Sequence, residues 1–429
     1  MKKYKKLFIL FSSCFLLSNS VSLVSSNINY KEKDTENLLI ISELMRLKRL
    51  QNVQQFFKKK LYIKDLYNRK LLVIATKSAY SIIDFKTLIT LETRFETLEL
   101  NDNVNFIYIP GLGLYEEKDN NLINISNNEI FYKNHFIKNV LPINIPNDNQ
   151  FINKQKEKRE KEINTFSLYK SNAERPNFPK LDYIGNNKFN VSHVVSNAWW
   201  FSTKNNYEKS GYIDYEDNGL CEYVALSQLL LYNHLFVDST IFSKFDYDKY
   251  FILKDSEKDI NDSSPVFRFA KHNLNNENLD NSLVFTLFNK GGYNYDLKTS
   301  SVLWNTTEKI LKNNINNWKL DGKYGGYYKA WEYVKKGIPS VLTTALGNGY
   351  GHSYLVYGYD DNSDMFLVSE CFPNKSYTTT LYSYWNFAWG SHFFTIESTK
   401  ENKSLKKLFS YKNKLYDGKE ITKIVEEVK

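Results

Sequence analysis

The chain is expected to be an α+β protein in which a helical half precedes an antiparallel sheet, with a separate α+β region ahead of both. Three observations predict this. Helix-spaced apolar positions dominate residues 221–336, and short β-branched and aromatic runs bounded by Gly, Pro, Asn or Asp dominate residues 340–396. A charge run followed by Pro176 and Pro179 separates this part from an earlier helix with strand-like runs. With 429 residues, 42% of them apolar and 16% aromatic, the chain is long enough for two domains and their cores, which excludes a disordered protein.

The N-terminus reads as a secretory signal over residues 1–26. Lys2, Lys3, Lys5 and Lys6 form a basic start, residues 7–17 an apolar core too short to span a bilayer, and serines lead to a cleavage zone near Ser26. Cys14 follows Phe11-Ser12-Ser13 inside that core, a poor setting for lipid attachment. The expected location is secreted or cell-surface, without stable membrane insertion. Removal of the signal would leave Cys221 and Cys371, too few for a disulfide framework.

Residues 27–152 form the first region. The pattern of Leu38, Ile41, Leu44 and Met45 predicts a helix over 37–60, and strands are expected at 71–75, 80–84, 88–92 and 105–109. Residues 153–162 carry no apolar side chain and open a charged linker over 153–180 that a processing protease could cut. The charge run is equally consistent with a continued helix. Residues 181–400 follow, with helices expected at 264–273, 301–313 and 327–336, and strands at 340–344, at His352, at 365–370 and at 393–396. Residues 401–429 read as a polar tail.

The chemistry concentrates at two places. Asn218-Gly219-Leu220-Cys221-Glu222-Tyr223-Val224-Ala225-Leu226 opens an almost wholly apolar helix, so only its N-terminal end can face solvent. With Asn218 as N-cap, Cys221 falls in the first turn, where unpaired N–H groups favour a thiolate. Gly349-Tyr350-Gly351-His352-Ser353-Tyr354-Leu355-Val356-Tyr357-Gly358-Tyr359-Asp360 reads as a strand with His352 at its mouth. A cysteine or a histidine of this kind is often just a core residue, but their pairing points to nucleophilic catalysis.

These two blocks, in this order, resemble the papain-like cysteine peptidases of bacteria, in particular secreted peptidases of low-GC bacteria, with more distant similarity to streptopain and the double-glycine peptidases. The resemblance covers roughly residues 190–400. It implies a papain-like fold, a helical lobe plus an antiparallel sheet, with Cys221 as nucleophile and His352 as general base. It also implies a third residue that orients the imidazole. Asn386 in Tyr384-Trp385-Asn386-Phe387-Ala388-Trp389-Gly390 is similar to the Asn-Trp-Gly-Trp-Gly segment of streptopain-like enzymes, with Phe387 and Ala388 departing from it. Glu370, at the end of the strand after the histidine strand, is the alternative, in the place where double-glycine peptidases carry an Asp.

The family's oxyanion hole combines the cysteine's own N–H with an upstream Gln side chain, and residues 214–218 contain no Gln. Asn218 is the candidate donor in its place. The N-terminal region is similar to those of the same peptidases, where it resembles an inhibitory propeptide; a permanently attached accessory domain is the other reading. The expected partner is a protein or peptide substrate. Neither Cys nor His occurs at metal-ligand spacing, so no metal or other cofactor is expected. The net charge of +9 is scattered among Asn and Asp with no nucleic-acid signature, so no nucleic-acid partner is expected. Other Cys-His acyl transferases or amidases, such as transglutaminase-like enzymes or cell-wall hydrolases, and a non-catalytic secreted binding protein remain as alternatives.

Overall fold

The computed structural model describes residues 27–101, 103–125, 130–134, 142–166, 190–202, 214–215, 218–253, 267–269, 282–292, 300–347, 350–371, 379–387, 391–400, 404–411 and 414–427. The signal-like segment 1–26, and Pro176 and Pro179, lie outside these residues. The fold is mixed α+β, organised on one large sheet.

The first region contains helix α1 (Asn27–Gln51) and strands β1 (Phe57–Asp65), β2 (Lys70–Thr76), β3 (Tyr80–Asp84), β4 (Thr90–Arg94), β5 (Asn105–Ile109), β6 (Gly113–Lys118), β7 (Asn121–Asn124) and β8 (Ile130–Tyr132). Helix α2 (Asn149–Phe166) follows. The helix expected over 37–60 stops at Gln51 because Asn52 takes a left-handed conformation, φ 54°, which ends helices without the penalty a branched residue incurs. Residues 57–60, read as helix, instead open β1. Leu39 of α1 packs with Leu72, Ile74, Ile83 and Leu88 on one sheet face, while Leu71, Val73 and Ile82 fill the core on the other.

The charge run expected as a linker is the middle of α2, whose start is capped by Asp148 Oδ1 accepting from the Phe151 amide at 2.9 Å. Its charges are paired rather than simply solvated. Arg159 is buried, donating to Glu43 at 2.8 Å and to the Leu88 carbonyl; Glu162 accepts from Arg49 at 2.8 Å, and Lys158 pairs with Asp364. A polar run in the sequence does not disclose that opposite charges meet it in the fold.

The second region begins with β9 (His193–Val194), β10 (Asp214–Tyr215), β11 (Asn218–Gly219) and helix α3 (Cys221–Phe236). Then come α4 (Lys244–Tyr250), β12 (Phe251–Leu253), β13 (Phe267–Phe269), α5 (Leu283–Lys290), α6 (Ser300–Leu311), β14 (Trp318–Tyr324) and α7 (Tyr327–Lys335). β15 (Ser340–Gly347), β16 (Tyr350–Asp360), β17 (Met365–Ser369), β18 (Thr380–Ser383) and β19 (His392–Ser398) follow, and β20 (Phe409–Tyr411), β21 (Lys414–Tyr416) and α8 (Gly418–Glu427) end the chain. The helix expected at 264–273 is contradicted at 267–269, which pair with β12 as a strand; the rest of that segment lies outside the described residues.

Every side chain of α3 is buried, each Leu contributing roughly 1.5–3 kcal/mol by leaving water. Leu355 and Tyr357 of β16 face this helix; Tyr354 and Val356, alternating with them, pack against Ala330, Tyr333 and Val334 of α7. The expected polar tail is also corrected. Phe409 and Ile421 lie in the α3 core, and Thr422 accepts from Trp199 Nε1 at 3.0 Å. Gly418 makes this docking feasible, since a Cβ there would fall 2.3 Å from the Leu235 carbonyl oxygen.

The sheet order is β14-β19-β15-β16-β17-β18-β4-β3-β2-β1-β5-β6-β7-β8, with β9 beside β16. All these pairs are antiparallel except β1 with β5. The two regions join at β4 and β18, through Arg94 opposite Thr380, Thr93 opposite Leu381 and Glu92 opposite Tyr382. Arg49 adds a two-pronged contact to Asp360 at 3.1 and 2.9 Å, and Leu50 enters the α3 core. Among the described residues, no helix is long and apolar enough to cross a membrane.

Candidate active site

Cys221 is the first residue of α3. The position before the helix is Leu220, which makes no side-chain capping bond, and Asn218, expected as cap, pairs through its backbone with Tyr215 in a short hairpin. The sulfur is met by the amide and hydroxyl of Ser353 and by the amide of Glu222, which favour ionisation. Burial outweighs them, and with the nearby Glu222 carboxylate it pushes the thiol up to about 12. The primed thiolate expected from the helix end is therefore absent in this form. Cys371 is a second buried free thiol in the electrostatic neighbourhood of Cys221, its Sγ 3.6 Å from the Ser369 carbonyl.

A Ser353 amide aimed at the sulfur places Cys221 against the peptide linking His352 to Ser353. The imidazole itself points elsewhere. His352 shares its strand face with Tyr354, whose ring it meets edge-on at 4.6 Å, and its Nε2 lies 2.5 Å from the Glu370 carbonyl oxygen. A carbonyl only accepts, so Nε2 carries the proton. Burial, with Arg94 nearby, holds the imidazole down to about 4, so it is neutral over the physiological range. Among the described residues no hydrogen bond joins Cys221 to His352. The structure brings the Cys221 sulfur to the amide that follows His352, while Nε2 of the imidazole is on the Glu370 carbonyl.

Neither candidate orienting side chain reaches the imidazole. In this structure the Asn386 amide donates to the Leu91 carbonyl at 3.0 Å and to Tyr108 Oη at 3.2 Å, both in the N-terminal region. The Glu370 carboxylate turns to Arg94, with Nη1–Oε2 2.8 Å and Nη2–Oε1 2.5 Å, and accepts from Tyr382 Oη at 2.9 Å. Of Glu370, it is the backbone carbonyl and not the carboxylate that meets His352.

The N-terminal region covers this end of the sheet. Gly111, at φ 76°, comes so close to Thr344, the partner of His352 across the ladder, that a Cβ would sit 3.1 Å from the Thr344 methyl. Gly113, at φ 97°, lies over Arg94 in the same way. Arg94 also donates from Nε to Glu92 at 2.5 Å. Burial first, and the Glu370 carboxylate after it, raise Glu92 to about 7 against the pull of Arg94.

Arg94, Glu92 and Ser353 escaped the sequence reading. The expected strand at 88–92 stopped short of Arg94, yet Glu92 and Arg94 sit two apart, on one face of a strand with apolar neighbours on either side. The same alternation describes a strand with one solvated polar face, so the burial of the pair is not legible in the sequence. Among the described residues no group of three or more His, Cys, Asp or Glu side chains could hold a metal ion. Comparison with protein-family models, curated proteins and solved structures finds no match.

Proposed function

We propose that the chain is a secreted papain-like cysteine endopeptidase held in a latent form by its N-terminal region. One observation carries the reading: a buried thiol at the first turn of α3 sits against the peptide that follows His352. Two further features support latency. The imidazole is tied to the Glu370 carbonyl, and β4 with the 109–113 turn covers the same sheet end. Activation then requires His352 to turn off that carbonyl toward the sulfur. There the unprotonated Nδ1 would accept the thiol proton, the sulfur would attack the scissile carbonyl, and the imidazolium would return the proton to the leaving amine. Water releases the acyl group from the thioester. The Cys221 amide is the oxyanion donor, with Asn218 as the candidate second one.

A second reading has its own support. The two regions share a continuous sheet and the buried Arg94–Glu370 pair, which also suits a permanently fused, non-catalytic binding protein. One experiment separates them. Wild-type and Cys221→Ala chains are incubated, followed by intact mass, assayed on a protein substrate, and treated with an epoxide thiol inhibitor of papain-like enzymes. The peptidase reading expects self-processing and hydrolysis by wild type alone, with the epoxide on Cys221. No hydrolysis and no labelling, before or after limited proteolysis within residues 167–189, leaves the binding protein.

A further inference from the structure

We propose that the Glu370 carboxylate and the Tyr382 hydroxyl form a recognition site for an arginine side chain of the peptide substrate, filled in this form of the chain by Arg94. The substrate assignment rests on the peptidase reading above.

The receiving groups belong to the C-terminal region and the guanidinium to the N-terminal one. Glu370 presents both oxygens to the two terminal nitrogens, and Tyr382 Oη, 3.0 Å from Nη2, completes the cradle. This planar fork suits a guanidinium and not an ammonium. The Glu370 side chain is 1% exposed and that of Arg94 is fully buried. A carboxylate so deeply placed needs a cation, and its other neighbours from the C-terminal region, His352, Tyr354 and Tyr382, are neutral. Among the described residues, Arg94 is the cation that bonds it.

Arg94 also arrives as a substrate would. β4 lies extended and antiparallel along β18, and the Asn386 side chain holds its backbone at Leu91. This is how a peptide docks on a sheet edge, with main-chain bonds for affinity and a side-chain pocket for specificity. The pocket is beside the proposed general base, since the carbonyl of Glu370 itself holds His352 Nε2. When the N-terminal region is displaced, Arg94, Glu92 and the cover at Gly113 leave together. Glu370 is then left without its cation beside the freed edge of β18.

The test has two arms. Processed wild-type and Glu370→Gln chains are compared on fluorogenic peptides that differ only in one residue, Arg, Lys or Leu. The proposal expects kcat/KM at least tenfold higher for Arg than for Leu, carried mainly by KM, and a ratio near one in Glu370→Gln. Independently of turnover, ethylguanidinium should raise the melting temperature of the full-length Arg94→Ala chain more than ethylammonium does, and not that of Arg94→Ala/Glu370→Gln. Arg94→Gln replaces Arg94→Ala if the latter does not fold. Peptide cleavage with no Arg preference, or with one indifferent to Glu370→Gln, overturns the proposal and leaves the peptidase standing. Glu370-dependent stabilisation by ethylguanidinium in a chain that cuts no peptide keeps the guanidinium site and removes the peptidase reading. Absence of that stabilisation overturns the site.

Discussion

Replacing Glu92 by Gln should remove a pH dependence of stability that originates at the junction of the two regions. Glu92 is fully buried in β4, and its carboxyl is raised from 4.5 to about 7, by burial first and by Glu370 after the partial offset from Arg94. A carboxyl raised in the folded state keeps a proton that the unfolded chain has already released. Its contribution is therefore complete below about pH 4.5 and is lost as the pH rises through about 7. At 1.36 kcal/mol per pKa unit the loss amounts to about 3 kcal/mol. Gln preserves the acceptor for Arg94 Nε and cannot ionise. Urea unfolding followed by tryptophan fluorescence, from about pH 4 to about pH 8.5, should show Glu92→Gln gaining on wild type by about 3 kcal/mol across that range. His352 and His234, held down to about 4 and about 3 by burial, act in the opposite sense: their contributions are present above 6.5 and lost in acid. Both are common to the two proteins and cancel in the difference. A difference independent of pH would refute the argument that Glu92 is a buried carboxyl protonated near neutrality.

In the full-length chain Cys221 should alkylate slowly, because raising a thiol from 9 to about 12 lowers the thiolate fraction near pH 8 by about a thousandfold. Mass-resolved iodoacetamide labelling before and after urea unfolding reads this, and equal rates would mean that the sulfur is not buried as described. Asn386→Ala should cost about 1–3 kcal/mol in stability through its two lost bonds to Leu91 and Tyr108, while leaving the His352 titration unchanged. A shift of the His352 ring signals by NMR would return Asn386 to the imidazole. Ile421→Ala should cost about 2–5 kcal/mol, as for a buried aliphatic side chain, since Ile421 is fully buried in the α3 core. An unchanged urea midpoint would show that the C-terminal helix is not docked there.

Much of the secondary structure was determined locally and could be read without the fold. The strands at 71–75, 80–84 and 105–109, the helices at 301–313 and 327–336, and the α3 helix behind Cys221 follow from apolar periodicity, which reports the side an element buries. Where the signal was a single backbone conformation or a pairing partner, the sequence was silent. Asn52 ends α1 by one positive φ, and Arg159 is buried because Glu43 and the Leu88 carbonyl happen to meet it. The candidate site divides in the same way. Cys221 and His352 stand out by residue type and setting, because a thiol at a helix start and a histidine at a strand mouth are local facts. Which atoms they face is decided by elements far away in the chain. The β4–β18 junction brings Arg94 to Glu370, the 109–113 turn to Thr344, and Leu91 to Asn386, and the Glu370 carbonyl holds the imidazole. Hydrogen-bond partners and burial are properties of the assembled sheet, so the ionisation of Cys221, His352 and Glu92 exists only at that level.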